Sequence, residues 1–262
     1  MLVEGKKIAE AIKEEIKKEV SGLGRKLKLI AITVGEDAAT RSFLKMKSKI
    51  GESVGVEMLF KRLPAGSEAE EVRRVVRESA REGDGVIVQL PLPKNINTKE
   101  VLAEIPKEKD VDVLLDGTGA LLPPVVGAIA EILRYYKISI QGKKAAVVGA
   151  GRLVGAPAKI WLEKMGAEVL VVRRNTEKPE EILREADLIV SGAGSPGLIK
   201  PEMIKPGVIL LDAGTSESEG KLVGDADPKC AEKASLFTPV PGGIGPIAMA
   251  ILFKNLVQLS KL

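Results

Sequence analysis

The stretch KAAVVGAGRLVGAP (residues 144–157) decides the fold. An apolar run ends at Val148, Gly149, Gly151 and Gly155 follow it, and a segment with helical spacing comes next. A strand, a glycine-rich turn and a helix in this order are typical of a nucleotide-binding α/β unit, where bare backbone approaches a pyrophosphate at the helix N-terminus. The spacing is GxGxxxG rather than GxGxxG, so a plain tight turn stays open as the alternative.

Segments typical of strands and helices alternate on both sides of this stretch. Six further apolar-rich runs are short enough to be strands: 27–34, 56–61, 85–90, 168–172, 188–194 and 208–214. Amphipathic or charged segments of helical length separate most of them, which predicts βαβ units and parallel sheets. A chain of 262 residues exceeds the usual size of one domain. We therefore predict two α/β domains, the second Rossmann-like, with a cleft between them.

The composition limits the kinds of catalytic and metal-binding site that the chain can form. The chain has no histidine and a single cysteine, Cys230, which excludes Ser-His-Asp triads, imidazole bases, an intrachain disulfide and metal sites made of histidine or clustered cysteines. We expect no bound metal and a reducing, cytoplasmic location. The N-terminus alternates charged and apolar residues, so no signal peptide is expected. No apolar run approaches the roughly 18–20 residues that a membrane span needs, so none is expected.

The net charge of +4 is compatible with an anionic small molecule or with nucleic acid. Aromatic residues make up only 3% of the chain, and no aromatic-rich RNA-binding pattern is present. We therefore expect a small-molecule substrate and no nucleic-acid partner.

Two arginines, Arg173 and Arg174, stand about twenty residues after the glycines, where the second strand of the unit ends. An acidic residue at this place would accept the 2′-hydroxyl of the NAD ribose, whereas two guanidinium groups suit the 2′-phosphate of NADP. A solvated pair at a strand end is the alternative. The pattern favours NADP as the cofactor.

Several polar residues in the first half have no distinctive pattern by themselves. Lys45, Lys47 and Lys49 fit a solvated helical face, Gln89 ends a strand, and Asp112 fits a charged turn. The segment TPVPGGIGP (238–246) is more specific, because so much proline and glycine makes a stiff loop whose backbone can face a ligand.

Taken in order, these segments resemble the methylenetetrahydrofolate dehydrogenase/cyclohydrolase family over nearly the whole chain. The segments that carry the resemblance are VGEDAATRSFLKMKSK (34–49), GVIVQLPLP (85–93), KDVD (109–112), the turn ending in VGAP (154–157), LVGDAD (222–227) and TPVPGGIGP (238–246). The resemblance implies NADP-dependent oxidation of 5,10-methylenetetrahydrofolate, hydrolysis of the methenyl product to 10-formyltetrahydrofolate, and a homodimer.

The resemblance also implies residue roles. Lys47 takes the place of the family's catalytic lysine, Gln89 that of its hydrogen-bond partner, and Asp112 that of a pterin anchor. The other predicted substrate-binding residues are Phe43, Val88, Leu90, Pro241, Gly242, Gly243 and Gly245. The predicted cofactor-binding residues are Gly149, Ala150, Gly151, Gly155, Arg173, Arg174 and Thr215.

The chain departs from the family pattern at three places. Phe43 stands where the family usually has tyrosine, which puts the efficiency of the hydrolysis in question. Ala150 and Gly151 replace an arginine and a serine of the cofactor turn, and Arg173-Arg174 replaces a histidine–serine pair. We interpret the last two changes as a relocation of 2′-phosphate recognition from the turn to the strand end.

We expect a folate-binding catalytic domain of residues 1–117 plus 243–262, and a cofactor domain of residues 118–242. Two other enzymes remain as alternatives. One is a dehydrogenase with weak or lost cyclohydrolase activity, and the other is an NADP-dependent dehydrogenase of the amino-acid or shikimate type, which pairs similar domains.

Overall fold

The computed structural model describes residues 1–35, 38–114, 121–218 and 221–262. The helices in these residues are α1 Gly5–Gly22, α2 Ala38–Ser53, α3 Ala69–Glu82, α4 Thr98–Leu102, α5 Pro124–Tyr135, α6 Gly155–Lys164, α7 Pro179–Glu185 and α8 Ile244–Leu259. The strands are β1 Lys28–Val34, β2 Glu57–Leu63, β3 Gly85–Val88, β4 Lys144–Val148, β5 Glu168–Val172, β6 Leu188–Ser191, β7 Ile209–Asp212, β8 Ser216–Ser218, β9 Lys221–Val223 and β10 Leu236–Phe237. None of the described helices is long and apolar enough to cross a membrane.

The chain forms two compact units, each made of two segments. One unit contains Ala11–Leu121 and Met249–Leu262, and the other contains Met1–Glu10 and Leu122–Ala248. We call them the lysine unit, after Lys47, and the glycine-turn unit, after Gly149.

The lysine unit is built on a parallel sheet with the strand order β2-β1-β3. Its central strand β1 is buried from Leu29 to Val34, as its run of Leu, Ile, Ala and Val requires for a strand covered on both faces. Apolar residues of α3 and α4 pack against one face of the sheet, with Val72, Val76, Val101 and Leu102 among them. This core fixes the carboxyl ends of β1 and β3, where the candidate lysine site lies.

The glycine-turn unit contains a five-stranded parallel sheet with the order β10-β7-β6-β4-β5. The chain passes from β4 to β5 on one side and then crosses to β6 on the other, so the winding direction reverses beside β4. Open α/β sheets bind ligands at such a reversal, outside the carboxyl ends of the strands. The prediction of two α/β units with parallel sheets is confirmed.

Two helices begin at places that local capping patterns do not mark. Helix α2 begins at Ala38, so Thr40, a residue type that often caps helices, lies inside it. Helix α3 begins at Ala69 without a side-chain cap, although Ser67 and Glu70 have the spacing of a capping box. The Ser67 N–H donates to the Pro64 carbonyl, and this turn delays the start of the helix.

The N-terminal residues pack in the glycine-turn unit, whereas the predicted domains group them with Lys47. The Val3 N–H donates to the Phe237 carbonyl and the Phe237 N–H to the Met1 carbonyl, each at 2.9 Å. These bonds pair the N-terminus with β10, a partner 234 positions away that local sequence patterns do not reveal. The predicted boundary between residues 117 and 118 lies outside the described residues, and the domain limits stay a prediction.

Candidate functional site

Lys47 lies on α2 and points towards the end of β3. Its side chain is only 7% exposed, and its Nζ donates to Gln89 Oε1 at 3.0 Å. Gln89 is held in turn, because its main-chain N–H continues the ladder to the Ile32 carbonyl and its Nε2 donates to the Leu90 carbonyl. The end of β3 therefore fixes the position of the Gln89 amide oxygen that accepts the hydrogen bond from Lys47.

Asp112 lies in a short loop that is tied to two other elements of the lysine unit. Asp110 forms a bridge with Val86 of β3, and within the loop its Oδ2 accepts the Leu114 N–H at 2.9 Å. The Asn255 side chain on α8 donates to the Val111 carbonyl at 2.9 Å.

Val113 follows Asp112 with φ of +52°, a conformation that a β-branched residue rarely adopts. Such strain persists only where the surroundings determine the backbone, and it concentrates at functional sites. The loop therefore presents Asp112 in one fixed conformation.

Lys47 and Asp112 interact electrostatically. Burial lowers the pKa of Lys47, and the nearby Asp112 carboxylate opposes that effect. Burial raises the pKa of Asp112 to about 6, with Lys47 acting to lower it and Asp110 to raise it. Both charges are thus less favourable than in water, and each group can exchange a proton more readily near neutral pH than in its ordinary state.

The structure brings together Lys47, Gln89 and Asp112, which lie far apart in the sequence. Val88 is buried in β3 directly before Gln89, and Leu90 and Phe43 are partly exposed. Their roles towards a substrate stay predictions.

The remaining predicted substrate residues lie in the glycine-turn unit, in the turn before α8 and in the first turn of that helix. Gly242 has φ of +109°, which favours glycine, and the Gly243 N–H donates to the Pro239 carbonyl at 2.7 Å. A side chain at Gly243 would meet that carbonyl at 2.7 Å and Thr238 at 2.8 Å. The turn is therefore closely packed and leaves backbone rather than side chains at its surface, with Pro241 and Gly245 beside it.

The turn after β4 has the shape of a phosphate cradle. Gly149 has φ of +94°, and a Cβ there would lie 3.0 Å from the Gly192 carbonyl oxygen. A Cβ on Gly155, the first residue of α6, would overlap the Gly149 carbonyl. The N-terminus of α6 has no side-chain cap; the Ala156 N–H donates to the Gly151 carbonyl at 3.0 Å, and Pro157 has no N–H. An anion in this turn would therefore be favoured mainly by the positive end of the helix dipole.

Arg173 leaves β5 beside this turn, because Val172 pairs with Val148 and its carbonyl accepts the Gly149 N–H. Arg173 and Arg174 are exposed, and the Arg173 backbone is fixed by a turn in which its N–H donates to Thr176 Oγ1 at 2.8 Å. Ala150 and Gly151 are exposed and offer no polar side chain. Thr215 is exposed and follows the end of β7.

Two buried carboxylates behind this surface were not found from the sequence. Asp225 accepts bonds from Ser191 Oγ, the Ala193 N–H and the Ser195 N–H, and Asp212 accepts the N–H groups of Gly214 and Ala226. The only sequence signal was the segment LVGDAD (222–227), which has no chemistry of its own until the strands bring its partners together.

Comparison with known proteins places the chain in a family. The model of the tetrahydrofolate dehydrogenase/cyclohydrolase catalytic domain matches residues 3–112, and the model of the family's NAD(P)-binding domain matches residues 123–262. The chain belongs to this family. Among curated members, the bifunctional protein FolD of Aquifex aeolicus is 36% identical over 277 aligned residues, with 100% of this chain and 95% of the relative covered.

Solved structures of family members have the same fold. The bifunctional FolD dehydrogenase/cyclohydrolase of Campylobacter jejuni superposes with a TM-score of 0.93 at 34% identity, covering 100% of this chain and 98% of that one. The FolD of Trypanosoma brucei, solved with NADP and an inhibitor, gives a TM-score of 0.94 at 33% identity, covering 100% and 97%. The resemblance inferred from the motifs is confirmed.

Proposed function

We propose that this protein oxidises 5,10-methylenetetrahydrofolate with NADP and hydrolyses the methenyl product to 10-formyltetrahydrofolate. Membership of the family supports both activities. The observation that carries the proposal is the buried Lys47, bonded to Gln89 and coupled to Asp112, because a lysine with a lowered pKa supplies the proton transfer that a chain without histidine otherwise lacks.

Lys47 serves the hydrolytic step. Addition of water to the methenyl carbon and opening of the ring need a proton to leave the water and a proton to reach the departing nitrogen. A desolvated lysine can do both, because its neutral form accepts a proton and its ammonium form returns it. Gln89 holds the Nζ at 3.0 Å and so fixes the position from which the proton moves.

Asp112 orients the substrate. An ionised carboxylate can accept two parallel N–H bonds from the amino-pyrimidinone edge of the pterin, which fixes the direction of the ring. Its raised pKa of about 6 leaves it mainly ionised at neutral pH. We assign it to both reactions, because both use the same pterin.

The residues of the glycine turn suit NADP. The bare backbone at Gly149 and the uncapped start of α6 accommodate a pyrophosphate, and Arg173 and Arg174 stand at the neighbouring strand end, where the 2′-phosphate of an adenosine ribose would lie. NADP, when bound, supplies the hydride acceptor for the oxidation. The contribution of this chain is to orient the two reactants, since hydride transfer depends on alignment.

A spectrophotometric assay tests the proposal. Purified protein with methylenetetrahydrofolate should reduce NADP, and with methenyltetrahydrofolate it should accelerate hydrolysis in the absence of any cofactor. Activity with neither substrate, or activity only with shikimate or an amino acid, would refute the proposal.

A second candidate, a dehydrogenase with weak hydrolysis, rests on Phe43. This residue keeps an aromatic face on α2 four positions before Lys47 but provides no hydroxyl to hold a water molecule. The ratio of the two initial rates separates the candidates, because only the second predicts that hydrolysis is much slower than oxidation.

We also propose that the protein acts as a homodimer in the reducing cytoplasm, where its one cysteine stays a thiol. Strand β5 forms one edge of the five-stranded sheet in the described residues, and Leu170 on it is 58% exposed. A groove of about 480 Å³ beside it is lined in part by Val169 and Ile182. Pairing of the β5 edge with the same edge of a second copy would cover Leu170 and the groove. Light scattering should then give twice the mass of one chain.

A further inference from the structure

The loop that follows β6 is exposed, yet a buried charge holds it. Residues 193–198 are all exposed, whereas Asp225 is fully buried and accepts bonds from Ser191 Oγ at 2.6 Å and from the N–H groups of Ala193 and Ser195 at 2.7 Å each. A buried carboxylate is costly unless its oxygens are bonded, and short bonds from N–H and O–H donors meet that need. The loop therefore has a fixed conformation despite its exposure.

The backbone around Asp225 holds the other end of the same loop. The Ile199 N–H donates to the Asp225 carbonyl at 3.0 Å, and the Asp227 N–H donates to the Ile199 carbonyl at 2.8 Å. Residues 193–198 are thus anchored at their start by the side chain of Asp225 and at their end by its main chain.

Glycines make room for this arrangement. A Cβ on Gly214 would overlap the Asp225 carboxyl group, and a Cβ on Gly224 would overlap the carboxyl group of Asp212. Asp212 itself accepts the Gly214 and Ala226 N–H groups at 2.8 Å, so it ties the segment after β7 to the segment that carries Asp225. The two carboxylates join the loops that leave β6 and β7.

The anchored loop forms one side of the glycine turn. A Cβ on Gly149 would lie 3.0 Å from the Gly192 carbonyl oxygen and 3.1 Å from Ala193 Cα, and a Cβ on Gly192 would overlap Val154 at the start of α6. Any displacement of residues 192–195 therefore changes the space between the turn and the loop. This is also the point beside β4 where the winding of the sheet reverses.

We propose that Asp225 is a positioning residue for the cofactor, which it does not touch. By fixing Ala193 and Ser195 it sets the width of the cradle formed by Gly149 and the start of α6. The proposal rests on the proposed binding of NADP in that cradle. It gives the buried Asp225 a role in cofactor binding, since Asp225 takes no part in the chemical steps.

Asp225→Asn tests the proposal with little change of size. An amide has one acceptor oxygen, so its nitrogen would face at least one of three donors, and the loop must move to relieve that contact. We expect the KM and Kd for NADP to rise about 10- to 100-fold, as the loss of one charge-assisted bond implies. Hydrolysis of methenyltetrahydrofolate without cofactor should stay within about twofold of the wild-type rate.

Asp227→Asn is the matched control, since the Asp227 side chain caps a neighbouring turn through the Lys229 N–H. Its bond to the Ile199 carbonyl is made by the main chain, which the substitution leaves in place. Ser191→Ala removes a single donor and should raise the KM for NADP by a smaller factor, which keeps the test available if Asp225→Asn does not fold. Unchanged NADP binding in both Asp225→Asn and Ser191→Ala would overturn the proposal. Oxidation and hydrolysis falling together in these two variants would overturn it as well. Calorimetric titration with NADP separates this result from a failure of the proposed reaction, because it needs no folate.

Discussion

The lysine unit places its chemistry in desolvated side chains, whereas the glycine-turn unit offers exposed backbone and exposed arginines. Burial lowers the pKa of Lys47 and raises that of Asp112, and the attraction between the two charges partly opposes both shifts. Around Gly149 the surface consists of main chain, and the charges that shape it, Asp212 and Asp225, lie behind it. The difference teaches that changes at Lys47 or Asp112 should act directly on proton transfer and on substrate binding, whereas changes around Gly149 should act through salt-sensitive charge and through backbone displacement.

The largest effect is expected at Lys47. Lys47→Met should lower the rate of methenyl hydrolysis about 10²- to 10⁴-fold while oxidation stays measurable, because only hydrolysis needs the proton transfer. Lys45→Met is the control, since Lys45 is an exposed lysine on the same helix. Hydrolysis at the wild-type rate in Lys47→Met would contradict the assignment.

Asp112→Asn should lower both activities together, by about 2–4 kcal/mol in each transition state, because an amide presents one acceptor and one unwanted donor to the pterin.

The same carboxylate should give the wild type an acid limb in its pH profile. We expect kcat/KM to fall as pH drops through about 6, where Asp112 takes up a proton. This acid limb should be absent in Asp112→Asn and should move to higher pH in Lys47→Met, which lacks the neighbouring cation. Glu108→Gln, at an exposed position, is the control. If Asp112→Asn changed only one of the two activities, Asp112 would not anchor the pterin in both reactions.

Arg173→Ala combined with Arg174→Ala should weaken NADP binding by about 1.5–3 kcal/mol for each phosphate bond lost and leave NAD binding nearly unchanged. The salt dependence of NADP binding should become shallower in the double variant. Lys164→Ala removes a cation from the far end of α6 and serves as the control. Equal use of NAD and NADP by the wild type would argue against a 2′-phosphate site at this strand end.

The smallest effect is expected from Phe43→Tyr. A restored hydroxyl should raise hydrolysis roughly two- to tenfold relative to oxidation, the worth of one hydrogen bond, because only hydrolysis uses an ordered water molecule. The matched control is Phe60→Tyr on β2 of the same unit. An unchanged ratio would show that another group already holds the water.

The contrast between the two units also explains which features of the fold and of the candidate site can be predicted from the sequence. The long βα pattern and the hydrogen bond between Lys47 and Gln89 could be predicted, because apolar strand patterns are local and the family motifs name those side chains. The roles of Lys47, Gln89 and Asp112 towards a substrate stay predictions. The short strands β8, β9 and β10 were missed, since two or three residues carry no periodic signal. The role of Asp225 was missed because its donors are backbone N–H groups, which every sequence contains.

The bonds that join the N-terminus to Phe237 bear on how the chain folds during synthesis. Met1 donates to the Ser235 carbonyl, so this contact forms only after residue 235 has been synthesised. Phe253, fully buried in the lysine unit, arrives later still, and a Cβ on Gly51 would come within 3.3 Å of it. Neither unit can therefore complete its core before these later segments have been synthesised, so early folding of either unit from its first segment alone is excluded.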